Sequence, residues 1–200
     1  MEWQLVPYAI PLFVGAMLLI FTAFFALLRS NTLPATFLAV SNILLAIYVG
    51  GYGFELGQHA KSGVILWSKI EYLGLAAAPV AWFLLILAYT DRRKLISLFN
   101  ILLLSTVPFI TIIFTWTNQY HQWMWQNFRL EPLGGIKIAV FTPGPWYWVN
   151  VAYTNLLILL SVVLLIRTFM RAPKLFRRQV VVLSTCLLYT SDAADESVGV

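Results

Sequence analysis

Few side chains in this sequence are equipped for chemistry, and those few are set among long apolar runs. Glu71 stands out. It sits in the string WSKIEYLG, Trp67 to Gly74, at the start of an apolar stretch. An ionisable group inside a membrane helix is costly and marks a function or a polar partner. Two readings stay open: Glu71 holds a ligand or a polar relay facing other helices, or it is fixed by an ion pair or hydrogen bond. Lys69 is two positions away and points to a different helix face. Glu55 lies across the short loop from Gly57 to Val64 and matches Lys69 better in depth. Lysines near helix ends also simply extend their ammonium groups to the interface. The only histidines are His59 and His121, and the only cysteine is Cys186. One histidine with no cysteine nearby is too few ligands for a metal, so no metal centre is expected. A single cysteine also excludes an internal disulfide framework.

Asn118 and His121 directly follow an apolar run. Asparagine can cap a helix C-terminus, and histidine titrates near neutral pH. Trp116, Trp123, Trp125, Trp146, Tyr147 and Trp148 gather in two short stretches. Such aromatics form belts at the membrane interface, or they wall an apolar pocket with a few convergent polar groups. If a pocket forms, its ligand-binding residues are expected to be Glu71, Tyr72, Asn118, His121, Trp125 and Trp148. Glu71 with His121 is a thin constellation for an enzyme, and no glycine-rich phosphate loop appears. No catalytic residue is therefore expected.

The elements that must position these residues follow from composition. The chain has 200 residues, 60% of them apolar and only 10% charged. Soluble domains carry roughly 25% charged residues, so a soluble globule is excluded. Disorder needs low hydrophobicity and high charge, so it is excluded too. What remains is an all-α polytopic membrane bundle. A helix needs about 20 apolar residues to cross a bilayer. Five stretches qualify, at about residues 6–28, 34–56, 65–89, 95–116 and 147–166, and a sixth opens at Val180. No basic residue precedes the first, which argues against a cleaved signal peptide.

The net charge of +5 does not imply nucleic acid, because membrane proteins concentrate Lys and Arg in cytoplasmic loops. An outside N-terminus puts nine of the 13 basic residues inside (Arg29, 92–94 and 167–178) and four outside (Lys61, Lys69, Arg129 and Lys137). That orientation is the expected one. The basic stretch 167–178 also suits anionic membrane lipids. The long outer loop reads as a hairpin lid: Phe128 to Glu131, a Pro-Leu-Gly-Gly turn at 132–135, then the β-branched run from Ile136 to Phe141. Gly53 with Gly57, and Gly74 with Ala78, have the small-residue spacing that lets helices approach closely. Pro79 and Pro108 inside spans are expected to kink them.

The pattern breaks at Thr185. Three of the eight acids, Asp192, Asp195 and Glu196, crowd into what should be the sixth span. One central Asp costs about 2.5–3.5 kcal/mol on insertion scales. The string CLLYTSDAADE, Cys186 to Glu196, resembles one translated frame of a transposase-type sequencing-library adapter. The expectation is an incomplete membrane domain at 1–185 and an artefactual tail at 186–200, with the gene continuing beyond Thr185. A natural polar tail is the alternative.

Four segments taken together carry a family resemblance: Trp67 to Thr90 with its E-Y-L-G core and Pro79, Pro108 to Trp125 with Thr117, Asn118, His121 and Trp125, Gly144 to Leu160, and FRRQVVVL at Phe176 to Leu183. In order and spacing they resemble the seven-helix N-terminal sensor region of membrane histidine kinases, over nearly all of residues 1–185. The chain departs from that pattern at Asn150, where a histidine is common, and at Asn155, where a tyrosine is. The resemblance implies the sensory input region of a two-component system in a prokaryotic plasma membrane. It would detect a ligand, outside or membrane-borne, or a membrane state. A phosphoaccepting histidine helix and an ATP-binding domain would follow, and they are missing here. ATP and Mg, a homodimer and a response regulator are implied only through that missing part. His59 and His121 map outside, where cytoplasmic ATP does not reach, so the fragment itself is expected to be no enzyme. The alternatives are a sensor for another output, such as a diguanylate cyclase, or a small transporter. Carriers show internal repeats and broken helices, and the sequence has neither.

Overall fold

A computed structural model describes residues 6–133 and 136–171. Its elements are α1 (Ala9–Arg29), α2 (Leu33–Leu56), α3 (Lys61–Tyr89), a 3-10 turn (Arg93–Leu95), α4 (Leu98–Trp116), α5 (Asn118–His121), β1 (Trp125–Leu133), β2 (Ile136–Pro143) and α6 (Pro145–Arg171). Five of the helices are long and apolar enough to cross a membrane. They are the five expected from hydropathy. The differences lie at their ends, where polar residues continue a helix that hydropathy cannot see. α3 starts at Lys61 rather than near 65, and α6 runs on past Ile166 to Arg171. α4 starts later than expected because Ser97 caps it, its hydroxyl accepting from the Asn100 amide at 3.2 Å. Pro79 and Pro108 both lie inside continuous helical spans. The glycine pair at 134–135, the apolar run from Val180 and the string from Cys186 to Glu196 lie outside the described residues.

α3 is the centre of the bundle, packing against α2, α4 and α6. It carries most of the buried apolar residues, including Val80, Leu84 and Leu87, which meet Leu157 of α6. Its seam with α2 is held close by glycines. A Cβ at Gly74 would collide with the Leu44 carbonyl oxygen and lie 2.9 Å from the Tyr48 nitrogen. A Cβ at Gly51 would lie 2.7 Å from Glu71 Cγ. Small residues at these positions are what allow the two backbones to approach.

α1 sits outside this core and touches α2. It buries only Ala9, Ala16 and Ala23, one residue in every seven. Phe13 of α1 lies over Gly53, and the Asn42 side-chain amide of α2 donates to Thr22 Oγ1 at 2.9 Å. The other faces are apolar and open: Phe21, Phe24 and Phe25 on α1, and Leu98, Phe99, Leu102 and Leu103 on α4. Continuous apolar faces of this extent are untenable in water, but lipid tails solvate them. The architecture is a membrane helix bundle with one antiparallel hairpin, β1 paired to β2, inserted after the fourth span.

Candidate functional site

The six residues singled out from sequence all lie at the hairpin end of the bundle. The structure joins some of them and separates others. Tyr72, Met124 and Trp125 form a buried cluster, with Phe114, Phe141 and Trp146 packed around it. The Trp125 ring meets Tyr72 edge-on, with centroids 5.2 Å apart. The start of β1 is thus seated on the central helix.

Asn118 holds it there. Its Oδ1 accepts from the Met124 amide at 2.9 Å and the Trp125 amide at 3.2 Å, and its Nδ2 donates to the Trp125 carbonyl at 2.9 Å. Both ends of one amide therefore serve the first two residues under the lid. His121 is tied on both sides as well. The Trp123 amide donates to His121 Nδ1 at 3.0 Å. An amide can only donate, so Nδ1 accepts and the ring proton sits on Nε2. Nε2 lies 3.0 Å from Thr117 Oγ1, whose own proton goes to the Ile113 carbonyl at 2.7 Å. Gln122 follows in the left-handed conformation (φ 54°), which turns the chain from α5 toward β1. The other end of the hairpin closes at Gly144, whose amide donates to the Met124 carbonyl at 2.9 Å. A side chain at Gly144 would collide with the Trp123 carbonyl. Trp148 stands apart: it is exposed, and its ring meets that of Tyr147.

Glu71 lies beside the Tyr72–Trp125 cluster but faces α2. It is buried and packed on Gly51 of α2, whose added Cβ would lie 2.7 Å from Glu71 Cγ. Glu55 accepts from the Ser68 hydroxyl at 2.5 Å. The expected pairing of Glu55 with Lys69 is not formed. Lys69 turns the other way, and its Nζ donates to the Trp116 carbonyl at 3.0 Å while lying 5.9 Å from the Trp116 ring centroid. The physical reason is the free carbonyl end of α4, which carries negative partial charge and attracts a cation.

A polar tie that sequence reasoning missed lies one layer deeper. Trp146 Nε1 donates to Thr111 Oγ1 at 3.0 Å, and Thr111 donates to Asn150 Oδ1 at 3.2 Å. Thr111 and Thr115, four apart in an apolar helix, were the available signal: both are fully buried on one face of α4. Asn150 therefore joins α4 to α6.

The Asn118 contacts give a direct expectation. Asn118→Ala removes three hydrogen bonds at once and leaves two amides to find other acceptors. Each such bond contributes about 1 kcal/mol net, and an orphaned group costs more. Amide exchange at Met124 and Trp125 should accelerate by about a hundredfold, with the exchange of mid-α3 amides unchanged. Equal exchange in both proteins would show that the hairpin is held by something else.

The family model described as the N-terminal 7TM region of histidine kinase matches residues 11–191. No curated protein and no solved structure matches the chain. The match takes in all five membrane helices and the hairpin with its Asn118 clamp. The chain is a multi-pass plasma-membrane protein belonging to the family of N-terminal seven-helix sensor regions of histidine kinases.

Proposed function

We propose that this chain is the sensory input of a two-component histidine kinase, and that the hairpin end receives the stimulus. Family membership supports the output, and the seating of the hairpin on α3 supports the input. Asn118 fixes the start of β1, and the Tyr72–Trp125 contact ties it to α3, which packs on α2, α4 and α6. A ligand or a membrane state that binds one lid position better than another shifts α3 by that difference in affinity. The excess of basic residues in the loops at the other end supports a hairpin on the outer side. ATP, Mg, the dimer contact and the response regulator all belong to the cytoplasmic part that would follow.

The test is the complete gene product in membrane vesicles, supplied with ATP. It should phosphorylate itself on a cytoplasmic histidine. Asn118→Ala, by loosening the lid by about 3 kcal/mol, should change that rate by up to about a hundredfold at equal membrane content. An unchanged rate would remove the hairpin from the signalling path. A gene with no kinase downstream would remove the output.

A further inference from the structure

Trp123 bridges two helix ends at the neck of the hairpin. Its amide donates to His121 Nδ1 at 3.0 Å, and its carbonyl accepts from the Trp146 amide at 3.0 Å. The first bond reaches back to the end of α5, and the second reaches the start of α6. Asn118 serves the next two residues, Met124 and Trp125. The α5 side of the bridge therefore rests on one imidazole nitrogen.

That nitrogen accepts only while it carries no proton. Nε2 is already committed as a donor to Thr117 Oγ1 at 3.0 Å, because the Thr117 hydroxyl gives its own proton to the Ile113 carbonyl at 2.7 Å. A second proton on the ring has one place to go, which is Nδ1. There it would point at the Trp123 amide, donor against donor, and the bond would be lost. Histidine is the side chain that takes up such a proton between about pH 5 and pH 8. His121 is half-buried, so water reaches the ring. Phe114 of α4 and Trp123 pack on it with centroids at 5.0 and 5.8 Å, and neither titrates. From α6 the ring on the same Phe114 is Trp146, which does not titrate either. Tyr120 precedes His121 and is exposed. Lys69 of α3 brings a cation to this end of α4, where the Trp116 carbonyl holds it.

We propose that His121 is a proton-operated latch on the hairpin. The neutral ring holds Trp123 and closes the bridge from α5 to α6. The protonated ring releases the Trp123 amide, while Asn118 and the Tyr72–Trp125 contact keep β1 seated on α3. Acid thus loosens the neck of the lid without detaching it. The signalling consequence, that outside acidity is a stimulus, rests on the sensor reading given above. The latch itself does not.

The experiment follows the 200-residue chain in phospholipid nanodiscs by NMR between about pH 8 and about pH 5. It reads amide protection at Trp123, corrected for the intrinsic exchange rate at each pH, and the nitrogen shifts of the His121 ring. Trp123 protection should fall by at least about tenfold in acid, with mid-α3 amides unchanged. His121→Asn should keep Trp123 protected throughout, because its Oδ1 can stand where Nδ1 stood and accepts at any pH. The ring shifts should show the proton on Nε2 at the alkaline end and should titrate with the same midpoint as Trp123 protection. Unchanged protection in the wild type overturns the proposal. A fall that His121→Asn retains also overturns it, because another group would then take the proton. If His121→Asn does not fold, the ring shifts decide: separate midpoints, or a proton on Nδ1 at the alkaline end, overturn the latch. A latch that works, in a full-length protein whose autophosphorylation ignores pH, would keep the latch and remove acidity as the stimulus.

Discussion

Gly74→Leu is expected to leave almost no folded protein. Gly74 faces the α2 backbone itself. The added carbon would collide with the Leu44 carbonyl and crowd Tyr48, whose nitrogen would be 2.9 Å away and Cβ 3.1 Å away. A side chain can rotate aside, whereas a backbone carbonyl inside a helix cannot move without breaking the ladder it belongs to. Overpacking of a well-packed site costs about 1–3 kcal/mol, more when the obstacle is rigid. Here even Gly74→Ala should cost about 3 kcal/mol, and leucine more. A whole domain has about 5–15 kcal/mol to lose. The check is the yield of monodisperse protein in detergent, expected to fall by at least about tenfold for leucine. Gly15→Ala is the control. The nearest atom to its new carbon is Val49 Cγ1 at 3.9 Å, an ordinary contact, so it should behave as wild type. Equal yields for both variants would mean that the α2–α3 distance is not set at Gly74.

Trp125→Ala should detach the lid. The indole is 4% exposed and meets Tyr72, Phe128 and Phe141. Truncating a buried Trp costs about 3–5 kcal/mol, from lost burial and from the cavity left behind. That cost falls on the hairpin and its seat on α3, because the five long helices pack mainly through other residues. Limited proteolysis should then cut between Trp123 and Pro143 at least about a hundredfold faster, while the helices stay intact. Trp148→Ala is the matched control: it removes an exposed indole from the same end of the bundle and should change little. If Trp148→Ala opened the hairpin equally, the Tyr72–Trp125 contact would not be what holds it.

The five spans were legible because twenty apolar residues in a row have one cheap solution in a bilayer, and the hairpin because a glycine pair separated two strand-like runs. Helix ends were misread wherever polar residues such as Lys61, or the stretch after Ile166, carried the helix past the apolar core. The site was legible as a neighbourhood and illegible as a set of contacts. Glu71, Tyr72, Asn118 and Trp125 do lie at one end. What Lys69 would choose could not be read, because its partner is a main-chain carbonyl at the end of α4, and carbonyls leave no mark in a list of side chains. The meeting of Gly51 with Glu71 depends on the rotation of α2 about its own axis. With Tyr48, Gly51, Tyr52 and Glu55 all near each other in sequence, hydropathy gives that rotation no preferred value. Gly51 was the clue: a residue with no side chain, one turn before an acid, marks where a neighbour comes close.

The alanine line of α1 has its own consequence. Ala9, Ala16 and Ala23 recur every seventh residue, and a strict seven-residue period winds two helices left-handed around each other. Alanines make no knobs. A seam without knobs resists separation through backbone closeness, yet offers little against sliding along its length. The axial register of α1 on α2 is therefore set by its larger side-chain contacts: Phe13, which lies over Gly53 and meets the Phe54 ring edge-on, and the Asn42–Thr22 bond some two and a half turns away. On such a smooth rail, the few large side chains at Phe13 and Thr22 select the position along it.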